Sequence, residues 1–179
     1  MIQPLASAVD DDVYEIVAGA RLEKPMSVFE QAIAAILFTP LDTHCRANRL
    51  GRAMFETLFA MPESGNDRRP DVVFISFDRW PAERGIPRVN AWPIAPDLTV
   101  EVISPSDKAF DVIDKVHEYF VAGVRQVWHI YSNVEQIHVF TSPTQVQILA
   151  RGDDLTGGAV VPGFRVPVVD LFPPAEEAP

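Results

Sequence analysis

The stretch that decides the fold is Pro96-Asp97-Leu98-Thr99-Val100-Glu101-Val102-Ile103, in which a Pro-Asp dipeptide opens a β-branched segment. A shorter version of the same pattern, Pro70-Asp71-Val72-Val73-Phe74-Ile75, lies upstream of it. Runs rich in valine and isoleucine that begin next to proline and aspartate are typical of β-strands. The sequence therefore predicts its two clearest strands at residues 71–77 and 97–103.

The acidic residues of these strands suggest a metal site. Side chains alternate faces along a strand, so Asp97, Thr99 and Glu101 point the same way, and we expect the two carboxylates to lie close together. Such carboxylates repel each other unless a proton or a cation lies between them. Magnesium prefers oxygen ligands of this kind. Asp71, on a neighbouring strand, would be the third acid, although an aspartate after proline is also a common turn residue.

A mid-strand glutamate flanked by valines needs either water or a charged partner, because an unpaired buried carboxylate is costly. Lys115 is the best candidate for that partner. The helix predicted at residues 109–122 buries an apolar stripe, and Lys115 lies at the edge of this stripe, near the sheet. Lys108 is a second candidate, and Lys115 could instead pair with Asp111 or Glu118 on the helix surface. The stripe consists of Val112, Val116, Tyr119 and Phe120.

The rest of the chain alternates short strands with helical segments. A hairpin is predicted around Gly19, and a buried helix is predicted from Phe29 to Phe38, ending near Pro40. Ser27 and Glu30 have the spacing of a capping box at its start. Helical character could resume from His44 to Leu50, with Gly51 as a stop. Further strands are predicted at residues 52–61, 126–131, 136–140 and 145–149.

This order of elements indicates a mixed α/β (α+β) fold, with a central mixed β-sheet and a helix packed on each face. With 179 residues, the chain is large enough for one domain with a substantial core. We expect that domain to span residues 1–172, followed by a flexible tail at residues 173–179.

Composition suggests a cytoplasmic protein. The single cysteine excludes an intramolecular disulfide, which fits a reducing compartment. The first residues lack the basic and apolar parts of a signal peptide, and no segment has the length of a membrane span. The net charge of −10 argues against a nucleic-acid partner, although arginines cluster at residues 46–52 and 68–88.

Other chemistries fit the sequence poorly. Cys45 directly follows His44, and adjacent side chains on a helix or strand point apart. His117, His129 and His138 lack the spacing of a zinc-binding helix, and His129 is interpreted as a structural strand residue. No glycine-rich phosphate loop is present.

The two Pro-Asp strands, together with Tyr14-Glu15-Ile16-Val17, Ser104-Pro105-Ser106 and the segment that follows Lys115, resemble the Uma family of putative restriction endonucleases within the PD-(D/E)xK nuclease superfamily. The resemblance covers nearly the whole chain. It implies a restriction-endonuclease-like core and a site that binds magnesium or manganese. Asp71 would be the first acid of that site and Glu101 the second.

The family pattern departs from the superfamily in its lysine. Ile103 stands two positions after Glu101, where the superfamily has lysine, and the resemblance implies that Lys115 of the following helix replaces it. Family members often have a histidine in the first helix, whereas this chain has Glu30. The resemblance makes Glu30 a possible member of the metal's ligand sphere, although it could equally be only the capping partner of Ser27.

The resulting hypothesis is a magnesium- or manganese-dependent DNA endonuclease. Asp71, Asp97 and Glu101 would bind the metal, Lys115 would orient water and stabilise charge, and Glu30 would assist. A homodimer is expected for cutting two strands. The alternatives are a catalytically weak nuclease-fold module that binds nucleic acid or protein, and a structural dimer that uses the sheet edge.

Overall fold

The chain begins with a tight hairpin. The structure, a computed structural model, describes residues 13–24 and 26–174. Strands β1 (Tyr14–Val17) and β2 (Ala20–Glu23) pair antiparallel, and Ala18 and Gly19 between them have φ of 50° and 77°. Positive φ at both central residues suits a two-residue turn that matches the twist of a hairpin. The hairpin predicted around Gly19 is confirmed, whereas most of the predicted tail lies outside the described residues.

Helix α1 (Val28–Ala47) is longer than the sequence predicts. The helix does not end at Pro40, because Leu37, Leu41 and Cys45 form one fully buried stripe that continues past it. An interior proline costs about 3 kcal/mol, and fully burying each leucine contributes about 1.5–3 kcal/mol. The prediction of an end near Pro40 is therefore wrong, and burial of the stripe gives the reason.

Gly51 opens a strand and is not a helix stop. A Cβ at this position would lie 2.1 Å from the carbonyl oxygen of Ile75 on the adjacent strand. Gly51 is therefore required by close approach of two backbones. The single strand predicted over residues 52–61 is two strands, β3 (Gly51–Phe55) and β4 (Phe59–Met61), separated at Glu56, where φ is 44°.

A six-stranded mixed sheet forms the centre of the molecule. Its strands, in spatial order, are β10 (Gln145–Leu149), β9 (Gln136–Ser142), β8 (Gln126–Tyr131), β7 (Leu98–Ile103), β6 (Val72–Ser76) and β3. Within this sheet β7 and β8 pair in parallel, the other neighbouring strands pair antiparallel, and helix α2 (Ala109–Val121) connects β7 and β8. A smaller sheet contains, in spatial order, β2, β1, β5 (Asn66–Arg68) and β4, and β11 (Asp154–Thr156) pairs with β12 (Arg165–Pro167).

The two faces of the sheet bury different helices. On β6, Val72 and Phe74 belong to the core that includes α1, whereas Val73 and Ile75 belong to the core that includes α2. This alternation follows from the two-residue period of a strand. The predicted mixed fold, with a helix on each face of a central sheet, is confirmed. Among the described residues, no helix has the length and apolar character needed to cross a membrane.

Candidate active site

Glu101 lies on the α2 face of β7 and is only 4% exposed. Leu98, Val100 and Val102 face α1, so the strand's alternation turns Glu101 toward α2 and the N-terminal hairpin. A cavity of about 420 Å³ opens between these elements, and Glu101 contributes to its wall. Position on a central strand fixes the carboxylate rigidly at the base of the cavity.

Lys24, just after β2, holds together two acids of the predicted site. Its Nζ donates to Oδ1 of Asp71 at 2.6 Å, to Oε2 of Glu101 at 2.9 Å and to the carbonyl oxygen of Arg69 at 2.8 Å. The three N–H bonds of the ammonium are all used by these three oxygens. Asp71 is fully buried behind this contact, whereas Lys24 and Glu101 line the cavity.

Lys115 of helix α2 approaches Glu101 from the other side. Its Nζ lies 2.9 Å from Oε1 of Glu101 and 2.8 Å from Oε1 of Glu15. The hydroxyl of Tyr119, one turn further along α2, also donates to Oε1 of Glu101, at 2.5 Å. The predicted contact between Lys115 and the sheet is confirmed, and Glu101 is held between two ammonium groups and a phenol.

Glu15 is a site residue that the sequence reasoning did not select. It is buried on β1, where it pairs with Lys115 and with Nη1 of Arg68 at 3.0 Å. Arg68 in turn donates to Oε2 of Glu118 at 2.5 Å. The signal was available, because Glu15 is an acid flanked by Tyr14 and Ile16 on a strand, as Glu101 is flanked by valines.

The two carboxylates that share Lys24 differ in their pKa. Burial is the largest influence on Asp71, and with the charge of Glu101 it raises the pKa of Asp71 to about 6 in spite of Lys24. Burial would also raise the pKa of Glu101, but Lys115, Lys24 and the Tyr119 hydroxyl together hold it well below its usual range. Burial would lower the pKa of Lys24, and the charges of Glu101 and Asp71 outweigh this and raise it. Glu101 thus stays ionised, and Asp71 is the group that accepts a proton first.

Asp97 does not join this cluster. Its Oδ2 accepts from the backbone N–H of Ser76 at 2.8 Å, and its Oδ1 lies 3.1 Å from Nε of Arg79 and 3.6 Å from Nη1 of Arg125. Asp97 and Glu101 share a face of the sheet, but four residues of strand separate them by about 13 Å. The expectation that their carboxylates lie close together is therefore wrong, and Asp97 stabilises the opposite end of the strand pair.

Glu30 is both a helix cap and part of the cavity wall. Its Oε2 accepts from the N–H of Ser27 at 2.9 Å, and the Ser27 hydroxyl accepts from the N–H of Glu30 at 3.3 Å. The predicted capping box is confirmed. Because Glu30 also lines the cavity, its alternative role near a bound metal stays a prediction.

His129 also lines the cavity, on β8 directly opposite Glu101 in the parallel pairing. It is 1% exposed, and neither ring nitrogen has a hydrogen-bond partner among the described residues. Burial lowers the pKa of His129 to about 4, although the nearby charge of Glu101 opposes this. The imidazole is therefore neutral at pH 7, and its ring packs edge-on against Phe140 with 5.1 Å between the ring centroids, so its interpretation as a structural strand residue stays a prediction.

Several arginines of the cluster that suggests a nucleic-acid surface instead contact other side chains of the protein. Arg68 binds Glu118, Arg79 binds Asp97, and Arg84 lies over the ring of Trp80 at 3.8 Å. The wall of the cavity carries more acids than bases. Its acids are Glu15, Glu23, Glu30, Glu101, Asp107, Asp111 and Asp114, and its bases are Lys24, Arg68, Lys108 and Lys115.

The oxygen atoms around Lys24 fit a hard divalent cation by donor type. Two carboxylate oxygens and one carbonyl oxygen converge within 2.9 Å of a single point, and magnesium favours such ligands. Within residues 13–24 and 26–174, no cluster of three or more acidic, histidine or cysteine side chains forms a metal site by itself. A cation bound here would depend on the carbonyl of Arg69 as well as on Asp71 and Glu101.

A solved protein structure has a fold similar to that of this chain. A crystal structure of a putative nuclease belonging to DUF820 from Anabaena variabilis ATCC 29413 superposes with a TM-score of 0.77 at 20% sequence identity, covering 89% of each chain. No curated protein matches the chain. The family model of Uma2, described as "Putative restriction endonuclease", matches residues 4–169. The match spans nearly the whole chain, and the protein therefore belongs to the Uma2 family.

Proposed function

We propose that this protein is a metal-dependent endonuclease that hydrolyses phosphodiester bonds of DNA. The observation that carries the proposal is that Glu101, at the cavity wall, is joined to Asp71 through Lys24 on one side and to Lys115 on the other. Family membership supports nuclease chemistry in general. Magnesium or manganese as the cofactor, DNA as the substrate and a homodimeric assembly are parts of the proposal.

In this proposal Asp71 and Glu101 would hold the cation with the carboxylates that contact Lys24. A bound Mg²⁺ or Mn²⁺ would polarise the phosphate and lower the pKa of a water molecule. Asp97 has no part in this site, because Arg79 and the N–H of Ser76 already use both of its oxygens.

Lys115 is suited to orient water and to stabilise charge on the phosphate. Its Nζ forms ion pairs with Glu15 and Glu101, at 2.8 and 2.9 Å. An ammonium carries three N–H bonds, so Lys115 would also be able to donate to a water molecule or a phosphate oxygen. A fixed cation is the kind of group that stabilises developing negative charge.

A second candidate is a nuclease-fold module that binds nucleic acid or protein without cutting it. Lys24 favours this alternative, because its ammonium already bridges the two carboxylates and offsets one of their charges. The two candidates differ in whether divalent cations bind at Asp71 and Glu101.

The test is cleavage of plasmid and oligonucleotide DNA with Mg²⁺ or Mn²⁺, comparing the wild-type protein with Glu101→Ala and Lys115→Ala. Lys108→Ala is the matched control, because Lys108 lines the same cavity and is exposed. We expect metal-dependent cutting that the first two variants lose and the control keeps. A folded wild-type protein that cuts no substrate with either metal would favour the binding module.

A further inference from the structure

The three oxygens around Lys24 form a cation-binding site, and the ammonium group of Lys24 occupies it. Oδ1 of Asp71, Oε2 of Glu101 and the carbonyl oxygen of Arg69 lie 2.6–2.9 Å from the Lys24 Nζ. A divalent cation held by the same three oxygens would need the position of this nitrogen. Two cations cannot share that position, because they would overlap and repel each other.

We propose that Lys24 is the residue that sets the affinity and selectivity of this site for divalent cations, by competing directly with them. The inference rests on the proposed function only in using the same two carboxylates. A cation binds when the ammonium leaves, and the measured affinity is reduced by the free energy of that displacement. A strongly charged divalent ion at high local concentration would displace the ammonium, and a monovalent ion would not.

Lys24 and Lys115 differ in ways that assign the competition to Lys24. Lys24 uses all three of its donors on the two acids and one carbonyl, and it separates fully buried Asp71 from the cavity. Lys115 contacts only the Oε1 side of Glu101 and does not contact Asp71. Removal of Lys115 would leave the position between Asp71 and Glu101 filled, whereas removal of Lys24 would open it.

The surroundings allow the exchange. Lys24 has a flexible four-carbon stem and lines the cavity, so its ammonium can move without displacing a strand. The wall of the cavity offers it other acids, including Glu23 and Glu30. The excess of acids over bases on the same wall also raises the local concentration of divalent cations.

The test is titration of the folded protein with Mn²⁺ and with Mg²⁺ by calorimetry, comparing the wild type with Lys24→Met, which has a similar length and no charge. We expect Lys24→Met to bind Mn²⁺ at least about tenfold more tightly, because a competing unit charge has been removed. Lys108→Met, which removes an exposed charge from the same cavity wall, should bind as the wild type does. Equal or weaker binding by folded Lys24→Met would overturn the proposal.

Lys24→Met leaves Asp71 and Glu101 without a shared cation, so its thermal unfolding is measured with and without Mn²⁺, beside the milder Lys24→Gln. The proposal predicts that Mn²⁺ raises the midpoint of both variants more than that of the wild type. Variants that stay unfolded in Mn²⁺ would contradict it, because Lys24 would then be a structural cation that no metal replaces.

These outcomes are independent of DNA cleavage. Tighter metal binding by Lys24→Met without any cutting would leave the competition standing and remove the endonuclease. Metal-dependent cutting by a wild type that binds Mn²⁺ as tightly as Lys24→Met would support the endonuclease and overturn the competition by Lys24.

Discussion

The two Pro-Asp dipeptides fold into the same local structure and differ in what faces them. Asp71 donates its N–H to the carbonyl of Val100 and accepts from the N–H of Val102, and Asp97 makes the same pair of bonds with Phe74 and Ser76. Each aspartate thus extends the β6–β7 ladder with its side chain. Because the strands are antiparallel, Asp71 and Asp97 lie at opposite ends of the β6–β7 pair.

The difference lies in one opposing residue at each end. Continuing the β6–β7 register by one residue places Asp71 opposite Glu101 and Asp97 opposite Ile75. Glu101 adds a second carboxylate, and the pair is held by the compact ammonium of Lys24. Asp97 meets Arg79, whose guanidinium also bonds the carbonyls of Ala95 and Gly123. At one end two carboxylates form ion pairs with Lys24, and at the other end Arg79 links Asp97 to two backbone carbonyls.

The most direct test of this difference is the same substitution, aspartate to asparagine, at both Pro-Asp dipeptides. Asp71→Asn should reduce cleavage by a factor on the order of 10³, because the metal loses a charged ligand. Asp97→Asn should lower the free energy of unfolding by about 2 kcal/mol, because Arg79 loses its charged partner. Cleavage assays at matched folded concentration and denaturant titration measure the two effects. Equal loss of activity in both folded variants would show that the two ends are not distinct.

Glu15→Gln tests whether the hairpin helps to position Lys115. Loss of the Glu15 charge frees Lys115 from one of its two partners, and we expect cleavage to fall by a factor on the order of 10 to 100. The turnover number should change more than the Michaelis constant for DNA. Glu23→Gln, on the exposed strand of the same hairpin, is the control and should retain wild-type turnover.

His129 gives the Glu101 end of the strand pair a pH dependence of stability. Because its pKa is lowered to about 4, the unfolded chain takes up a proton near pH 6.5 and the folded chain does not. The stabilisation from a neutral His129 is present above pH 6.5 and is lost as the pH falls toward 4. Relative to His129→Phe, the wild type should lose about 2 kcal/mol between pH 6.5 and 5.

Denaturant titrations of both proteins across this range measure the loss. The difference between them removes the opposite contribution of Asp71, whose raised pKa favours the folded state as the pH falls. A difference that does not vary with pH would mean that the folded protein protonates His129 as readily as the unfolded chain.

The smallest expected effect concerns Glu30. Glu30→Gln retains an acceptor for the Ser27 N–H and removes the charge, so we expect less than about 1 kcal/mol of lost stability. If Glu30 acts only as a cap, cleavage should stay within about twofold of wild type, by the same capping argument. A larger drop in cleavage, with Mn²⁺ affinity reduced in calorimetry, would place Glu30 near the metal.

Much of the site could be predicted from local patterns. The apolar stripe of α2 correctly indicated that Lys115 approaches the sheet. The cost of a buried carboxylate correctly indicated that Glu101 needs either water or a charged partner, and the structure shows the charged partner. Each inference depends only on the residues of a single helix or strand.

Strand pairing could not be predicted from such patterns. The separation of Asp97 from Glu101 follows from the rise along one strand and could have been predicted. The pairing of Asp71 with Glu101 and of Asp97 with Ile75 depended on the antiparallel register of β6 and β7, which the local pattern does not report. Lys24 and Glu15 reach the site from a hairpin, and Lys24 is 77 residues from Glu101 in the sequence. The course of α1 beyond Pro40 depended on burial of its later turns, which local propensity does not report.

The distance in sequence between Lys24 and Glu101 has a consequence for the synthesis of the protein. A ribosome adds about 5–20 residues per second, so the 77 residues between them take roughly 4–15 s to translate. Helix α2, which carries Lys115, emerges later still. The nascent hairpin is therefore made well before its partners, and a growing chain cannot bring Lys24, Glu101 and Lys115 together until β3, β6, β7 and α2 have all left the ribosome.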